Sequence, residues 1–558
     1  FGKPVRDLDL AESALLAGLP QSPVWYNPLE NLEGARARQA VVLDLMVAQG
    51  YSTEEQARLA KKEELYFASA PFDIRAPHFV MYVRGILEQE LGLDRIEQGG
   101  LRIYTTVDLD LNDAARDVMR YRLSRLAECD GQKTDCPPGG HNVRNAALVA
   151  LDPRTGEILA MAVVPVFNPN VFWTHQPNQW RNRAVTDSYE PGSTIKAYLL
   201  AAALDSSLVS PETKFFCENG EYKVGTNTIH DHDRKGHGML SVSEIITFSS
   251  NIGAVKIGQR IGYKKFHEYL KKLGFGDQTE IDLPGEQEGF LRPVKDAREI
   301  EKATSFFGQG MTASSLQLVM AMAAIANGGK LMRPYVVKAV KDQKGKMVKE
   351  NHPQMVRKVM SPETARKVAQ ILESVVKEKD GTGRLAAIKG YRVAGKTGTS
   401  QKVDPVTKRY SGKNYVTLFV GFAPVEKPRL AILALVDEPE AKKYGGLVAA
   451  PVFREVGAWS LNHLRVLPDV RMARADEVVE SDHSRNNASP LHVEVSQEAA
   501  GMLPDFKGQT MREVLRGGKS LGVKILVDGT GFAIAQKPEP GSPLNKVTQV
   551  SVSFRPPS

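Results

Sequence analysis

Tyr189-Glu-Pro-Gly-Ser-Thr-Ile-Lys-Ala-Tyr-Leu-Leu200 begins as an irregular stretch, is closed by Pro191-Gly192, and turns at Ser193 into a nearly all-apolar helix that runs to Leu204. Ser193 and Lys196 are three positions apart, so both fall on one helix face, with Cβ atoms about 5–6 Å from each other. A serine hydroxyl is a poor nucleophile at neutral pH; it needs a base within hydrogen-bond reach and donors for the oxyanion that forms. The helix start offers backbone N–H groups and the positive end of the helix dipole. A single lysine on an apolar helix is expected to be partly desolvated, which lowers its pKa as a base requires. Alone the pattern is weak. Ser374–Lys377 repeats it on an amphipathic helix, and Ser193 by itself reads more simply as a helix N-cap.

Two further segments give the serine its context. Ser249-Ser250-Asn251 lies fifty-six positions after Ser193, between a helix starting near Ser241 and the apolar Ile252–Val255. A hydroxyl and a carboxamide two apart can share a loop, relay a proton and hold a peptide amide. Ser484-Arg485-Asn486 matches as well, but in a polar linker. Lys396-Thr397-Gly398-Thr399 follows Tyr391-Arg-Val-Ala-Gly395, which reads as a strand. A strand with Gly398 beside hydroxyls and a lysine lets a substrate backbone pair with it closely while the cation takes a carboxylate; the plainer reading of the tetrapeptide is a strand-end turn.

Around these segments the texture is α+β. Ala147–Leu151 and Glu157–Val163 are apolar strands joined by the tight turn Asp152-Pro-Arg-Thr-Gly156. Tyr415–Phe422 and Arg429–Val436 form a second pair, and the apolar helices Ala197–Leu204 and Leu316–Ala326 lie between. Strands first, helices in the middle and strands last predict an antiparallel sheet packed between helices. Residues 1 to about 70 read as helical, with an apolar stripe ending at Gly18-Leu19-Pro20 and a second helix over Glu33–Gln49 stopped by Gly50. Gly99-Gly-Leu-Arg-Ile-Tyr-Thr-Thr106 reads as a strand. Residues 470–490 read as a polar linker. Beyond it, a helix at Thr510–Gly517 and strands at Val523–Val527, Phe532–Gln536 and Val547–Phe554 make a small module.

The 558 residues predict three or four domains, and 73 Lys+Arg against 65 Asp+Glu give a net charge of +8 with no concentrated basic stripe, which argues against a nucleic-acid partner. No apolar run reaches about 18 residues, so no segment is expected to span a bilayer, and with no charged-then-apolar stretch at Phe1 a signal or anchor is expected to be absent or removed. Three cysteines exclude a disulfide-rich scaffold. Cys129 and Cys136 lie in one polar Gly/Pro loop and could close a small disulfide; the alternative is two free thiols. Cys217, beside Phe215 and Phe216, reads as packing. His230-Asp-His-Asp233 with His237 lacks zinc spacing and reads as a structural or solvated loop, so no metal is expected.

The three segments together, in this order, resemble the active-site motifs of β-lactamases and penicillin-binding proteins. Residues 146–465 resemble the transpeptidase domain of high-molecular-weight penicillin-binding proteins, with support from Gly308-Gln-Gly310, Leu316-Gln317, Leu273-Gly-Phe-Gly276 and Leu283-Pro-Gly-Glu286. Asn182–Ser193 and Tyr444-Gly-Gly with Ala449-Ala-Pro-Val-Phe453 resemble the class B, division-type enzymes. Phe1-Gly-Lys-Pro, Leu16–Pro23 and Tyr26-Asn-Pro28 resemble the end of a class A glycosyltransferase domain, and 99–106 the class A linker. Leu503-Pro-Asp-Phe-Lys-Gly508, Gly522-Val523 and Gln536–Gly541 resemble a PASTA module.

The resemblance implies a penicillin-binding/serine β-lactamase-like α+β fold. It divides the chain into a glycosyltransferase remnant (1–75), a linker region (76–145), the transpeptidase domain (146–465), a polar linker (466–490) and PASTA (491–558). It implies Ser193 as nucleophile, Lys196 as base, Ser249 as relay and Asn251 as amide holder. Lys396, Thr397, Gly398 and Thr399 would bind the substrate, and the N–H groups of Ser193 and Thr399 would form the oxyanion hole. The reaction is D,D-transpeptidation of peptidoglycan stem peptides, with β-lactams acylating the same serine and no cofactor. Alternatives are a D,D-carboxypeptidase or β-lactamase relative, and a non-enzymatic acylation sensor or scaffold. The expected setting is the bacterial envelope, on the periplasmic or extracytoplasmic face of the inner membrane, with a membrane anchor outside this sequence and cell-wall synthesis or division proteins as partners. No Glu-Asp-x-x-Phe motif occurs in residues 1–75, so glycosyltransferase activity is not expected.

Overall fold

A computed structural model of the chain describes residues 1, 3, 5–67, 74–127, 145–231, 236–404, 407, 409–439, 444–468, 503–507, 509, 511–529, 532–544 and 548–555. Cys129, Cys136 and the 470–490 linker lie outside the described residues, as do 232–235 of the His/Asp loop. The chain divides into two compact units, Phe1–Ala473 and Arg474–Ser558.

The first unit is built on a five-stranded antiparallel sheet. In chain order its strands are β1 (Asn145–Leu151), β2 (Ile158–Val164), β3 (Ala394–Val403), β4 (Tyr410–Ala423) and β5 (Leu430–Asp437). They lie in the order β3-β4-β5-β1-β2, so the strands expected at the two ends of the domain meet in the middle, where β5 pairs with β1. Both faces are covered, which is why β1 and β5 read as continuous apolar runs rather than alternating ones. Alternate residues serve different cores. Ala147, Val149 and Leu151 join one with Leu418 and Val420, while Ala146, Leu148 and Ala150 join the other with Phe419.

Six helices matter for the site and its support: α1 (Leu109–Ala127), α2 (Ile195–Asp205), α3 (Asn251–Ile261), α4 (Ser315–Ala326), α5 (Pro362–Lys377) and α6 (Gly445–His463). The second face is covered by α1 and α6, through Leu111, Met119, Phe453 and Val456. The first face carries α2, α4 and α5. The apolar residues of α2 and α4 that sequence reading singled out are buried all round, as expected for central rather than surface helices. Residues 76–127, expected as a linker region, also contribute to these cores: Phe79, Val83 and Leu87 of the helix Pro77–Leu91 to one, and α1 to the other. The strand expected near 99–106 forms as Arg102–Thr105 and pairs with Val337–Lys341.

The N-terminal residues form helices Leu10–Gly18, Leu32–Ala48 and Glu54–Lys62 around a small core of Ala14, Leu15, Leu43 and Ala57. The first begins at a capping box in which Asp9 and Glu12 each accept the other's backbone N–H. The second unit holds the helix Met511–Leu521 and a three-stranded sheet in which Gln549–Arg555 lies between Lys524–Gly529 and Phe532–Lys537. Its core is Leu503, Phe506, Val514, Val550 and Val552. Among the described residues no helix is long and apolar enough to cross a membrane.

Candidate active site

Ser193 stands in a single 3₁₀ turn, Gly192–Thr194, that runs directly into α2. The helix therefore begins two residues after the serine rather than at it, and Thr194 closes the turn by donating its hydroxyl to the Pro191 carbonyl (2.7 Å). Gly192 takes φ +52°, and a Cβ there would lie 2.7 Å from the Thr399 carbonyl oxygen. Glycine is needed here for both reasons: left-handed backbone and direct approach to β3.

Lys196 is fully buried one helical turn on. Its Nζ donates to the Ser249 carbonyl (2.6 Å) and to Asn251 Oδ1 (2.8 Å), and lies 3.3 Å from Ser249 Oγ. Ser249 caps the helix Val242–Phe248 in a left-handed conformation, φ +61°. A non-glycine residue held there stores strain, which clusters at functional sites. Ser250 is the N-cap of α3, its hydroxyl accepting from Gly253 N (2.9 Å).

Lys396, also fully buried, donates to the same Ser249 hydroxyl at 2.9 Å. Burial, and after it the charge of Lys196, pushes the Lys396 ammonium well below its ordinary value. Lys396-Thr397-Gly398-Thr399 lies inside β3, paired with Val420, Phe419, Leu418 and Thr417 of β4, as the reading of a strand at Gly398 expected and not as a strand-end turn. The expected strand Tyr391–Gly395 overlaps β3 only at Ala394 and Gly395. β3 is the outer strand of the sheet on this side. Thr397 donates to the Thr382 hydroxyl (3.0 Å), and Thr399 Oγ1 accepts from Gly445 N at the start of α6 (3.0 Å).

Of the expected site residues, Ser193, Ser249, Asn251, Thr397 and Thr399 line one cleft of about 1090 Å³. Lys196 and Lys396 sit beneath it, through Ser249 and Asn251. The lining adds Tyr410, Tyr415, Tyr444 and Leu447; of these, sequence reading names Tyr444 for its resemblance to class B enzymes and Tyr415 as a strand start, and none as a site residue.

Asp231 was named only as part of the His/Asp loop, not as a residue of the site. Its carboxylate is buried and accepts from Ser250 Oγ (3.0 Å), Asn251 N (2.5 Å) and Ile252 N (3.2 Å). It thus fixes the Ser249–Asn251 segment and offsets the positive end of α3. The adjacent His230 carbonyl accepts from Asn251 Nδ2 (3.0 Å). Of the two readings of the His/Asp loop, structural or solvated, this end takes the structural one and supports the site. Cys217 is buried as packing, and burial pushes its thiol up to about 11.

A family model described as "Penicillin binding protein transpeptidase domain" matches residues 146–457, the span that holds the Ser193 turn, the outer strand β3 and the two buried lysines. The chain belongs to this family. Further models match "Transglycosylase" over 1–47 and "PASTA domain" over 501–555. Relatives include stage V sporulation protein D of Bacillus subtilis, 36% identical over 410 residues, covering 72% of this chain and 60% of that protein. The "Probable peptidoglycan D,D-transpeptidase PenA" of Neisseria flavescens is 38% identical over 329 residues, covering 59% and 78%. The chain thus spans less than two thirds of the Bacillus protein's length. Among solved structures, the TP domain of Burkholderia pseudomallei penicillin-binding protein 3 superposes with TM-score 0.55 at 32% identity, covering 66% of this chain and 98% of that one. Penicillin-binding protein 3 of Mycobacterium tuberculosis in complex with aztreonam gives 0.59 at 29%, covering 66% and 80%. The penicillin-binding fold and its α+β build are those expected from the sequence.

Proposed function

We propose that the chain is a serine D,D-transpeptidase that cross-links peptidoglycan stem peptides. The observation that carries this reading is the convergence of Lys196 and Lys396 on the Ser249 hydroxyl, in the cleft that Ser193 also lines. Ser193 Oγ attacks the carbonyl carbon of the penultimate D-Ala, and its proton passes to Lys196. The backbone N–H groups of Ser193 and Thr399 receive the oxyanion; the close approach of Gly192 to Thr399 supports that pairing. The intermediate collapses to the acyl-enzyme, and the departing D-Ala nitrogen takes a proton through Ser249. Lys396, Thr397 and Thr399 hold the donor's terminal carboxylate along β3, with Gly398 leaving room for its backbone. Asn251, fixed at both ends of its amide by Lys196 and the His230 carbonyl, flanks the peptide amide. An amine from a second stem peptide then attacks the ester, forms the cross-link and frees Ser193.

In this reading the protein works in the bacterial cell envelope on the extracytoplasmic face, anchored outside the present sequence and beside other wall-synthesis or division proteins. It does not polymerise glycan strands. The PASTA unit either touches muropeptides or supports the transpeptidase. Labelling with a fluorescent penicillin tests the core claim: wild type is labelled and Ser193→Ala is not, and equal labelling of both removes Ser193 from the role. An acyl-enzyme lifetime of seconds would favour a hydrolase; a long-lived ester favours transpeptidation.

A further inference from the structure

The residue that ties the nucleophile turn to the rest of the cleft is Glu190, three positions before Ser193 and outside the three motifs. Its backbone carbonyl accepts from Ser400 Oγ on β3 (2.7 Å). Its carboxylate oxygen Oε1 accepts from Gly310 N (2.8 Å) and from the rim hydroxyl of Tyr410, at the start of β4 (2.9 Å). The Gly308–Gly310 loop returns a second tether, since Gly192 N donates to the Gly308 carbonyl (3.1 Å). One side chain therefore joins three pieces of chain: the turn that carries Ser193, the loop behind it, and the β3–β4 hairpin that forms the cleft rim.

The other oxygen, Oε2, is enclosed with no hydrogen-bond partner. Burial pushes the carboxyl up, against the pull of the Gly310 and Tyr410 hydrogen bonds. A half-satisfied buried carboxyl is costly, and a residue serving packing alone would be better apolar. The arrangement is explained if its value lies in holding the turn and the rim in register.

We propose that Glu190 is a positioning residue for the acylation step, setting the Ser193 turn against β3 through its shared hydrogen bonds to Gly310 and Tyr410. It touches no reacting atom. Loss of the tether lets the turn drift from Thr399, and misplacement by about 1 Å costs up to about a hundredfold in rate. The inference rests on the proposed acylation of Ser193.

The test is the acylation kinetics of the full chain with a fluorescent penicillin, resolved into initial binding and the first-order acylation step, with rates normalised to titrated active sites. Wild type must acylate; if it does not, the proposed function fails before this inference is reached. Glu190→Ala is expected to slow the acylation step at least tenfold while changing initial binding less than about twofold. Glu190→Gln, which keeps an accepting oxygen, is expected to restore the rate to within about threefold of wild type. Tyr410→Phe removes one hydrogen bond at the rim and is expected to slow acylation about threefold. Its effect should vanish in the Glu190→Ala background. A per-site rate for Glu190→Ala within twofold of wild type overturns the inference, as does Glu190→Gln as slow as Glu190→Ala. Should Glu190→Ala fail to fold, an unchanged acylation step in Tyr410→Phe overturns it by itself.

Discussion

The hydroxyl of Ser249 lies 2.9 Å from the Lys396 ammonium, and the same oxygen is 3.3 Å from Lys196. A single hydroxyl thus bridges two buried amines, one fifty-three residues before it and the other one hundred and forty-seven residues after it in the sequence. It is held there by a left-handed backbone that serine adopts only at a cost of about 1–2 kcal/mol. Activity and stability are therefore expected to part company at this position. Ser249→Gly should relax the backbone and melt above Ser249→Ala, while both lose the relay and fall about 10²–10⁴-fold in turnover of a stem-peptide donor. Thermal melts and donor turnover of the two variants check this. Equal melting of the two would mean that the left-handed turn stores no strain.

Lys396 sets a pH dependence whose sign follows from its surroundings. Burial and the Lys196 charge hold it well below its ordinary value, whereas a bound carboxylate would pull it back up. Between the two values, binding takes up a proton, so affinity for a D-alanyl-D-alanine peptide is expected to fall as pH rises through that window. Calorimetric titration of the Ser193→Ala variant in two buffers of different ionisation enthalpy measures the uptake, and Lys396→Met should abolish it. The same depression means that the unfolded chain binds more protons than the folded one between the folded value and about 10.4. The Lys396 contribution thus becomes less unfavourable as pH rises across that range.

Much of this was legible in the sequence, and the reasons are local. The lysine on an otherwise apolar α2 announced its own burial, and the apolar runs of β1 and β5 announced a sheet covered on both faces. β3 was displaced by several residues because Lys396–Val403 is largely polar; its strand form comes from pairing with β4, a tertiary effect that propensity does not carry. Asp231 was hidden for a related reason. An aspartate in a polar loop looks solvated until the fold turns that loop back onto the N-terminus of α3. Glu190 and Tyr410 are two hundred and twenty positions apart, and only the β3–β4 hairpin brings them together.

Asp231 should behave as the keystone of its segment. Asp231→Ala strands the Ser250 hydroxyl and the N–H groups of Asn251 and Ile252 without their buried acceptor. A loss of about 3 kcal/mol in denaturant unfolding is expected, together with slower penicillin acylation as Asn251 loosens its hold on Lys196. Asp231→Asn keeps one acceptor and should fall between. An Asp231→Ala protein with wild-type stability and acylation would mean that the α3 N-terminus finds its partners elsewhere.

Gly308 offers the sharpest steric test of the nucleophile turn. It takes φ +86°, and a Cβ would sit 2.1 Å from the Gly192 carbonyl oxygen and 2.7 Å from its nitrogen, so backbone must move. Left-handed strain of about 1–2 kcal/mol and overpacking of about 1–3 kcal/mol are expected to add in Gly308→Ala. The forced shift falls on Gly192, which touches Thr399, so acylation should also drop about a hundredfold. Gly345 provides the control. It has φ +80° with nothing within 4 Å of the added Cβ. Gly345→Ala therefore meets the backbone cost alone, about 1–2 kcal/mol, and should be acylated at the wild-type rate. Melting temperature and penicillin acylation of the two variants, measured together, separate a strained glycine from one that spaces the nucleophile; equal acylation of both would refute the spacing role.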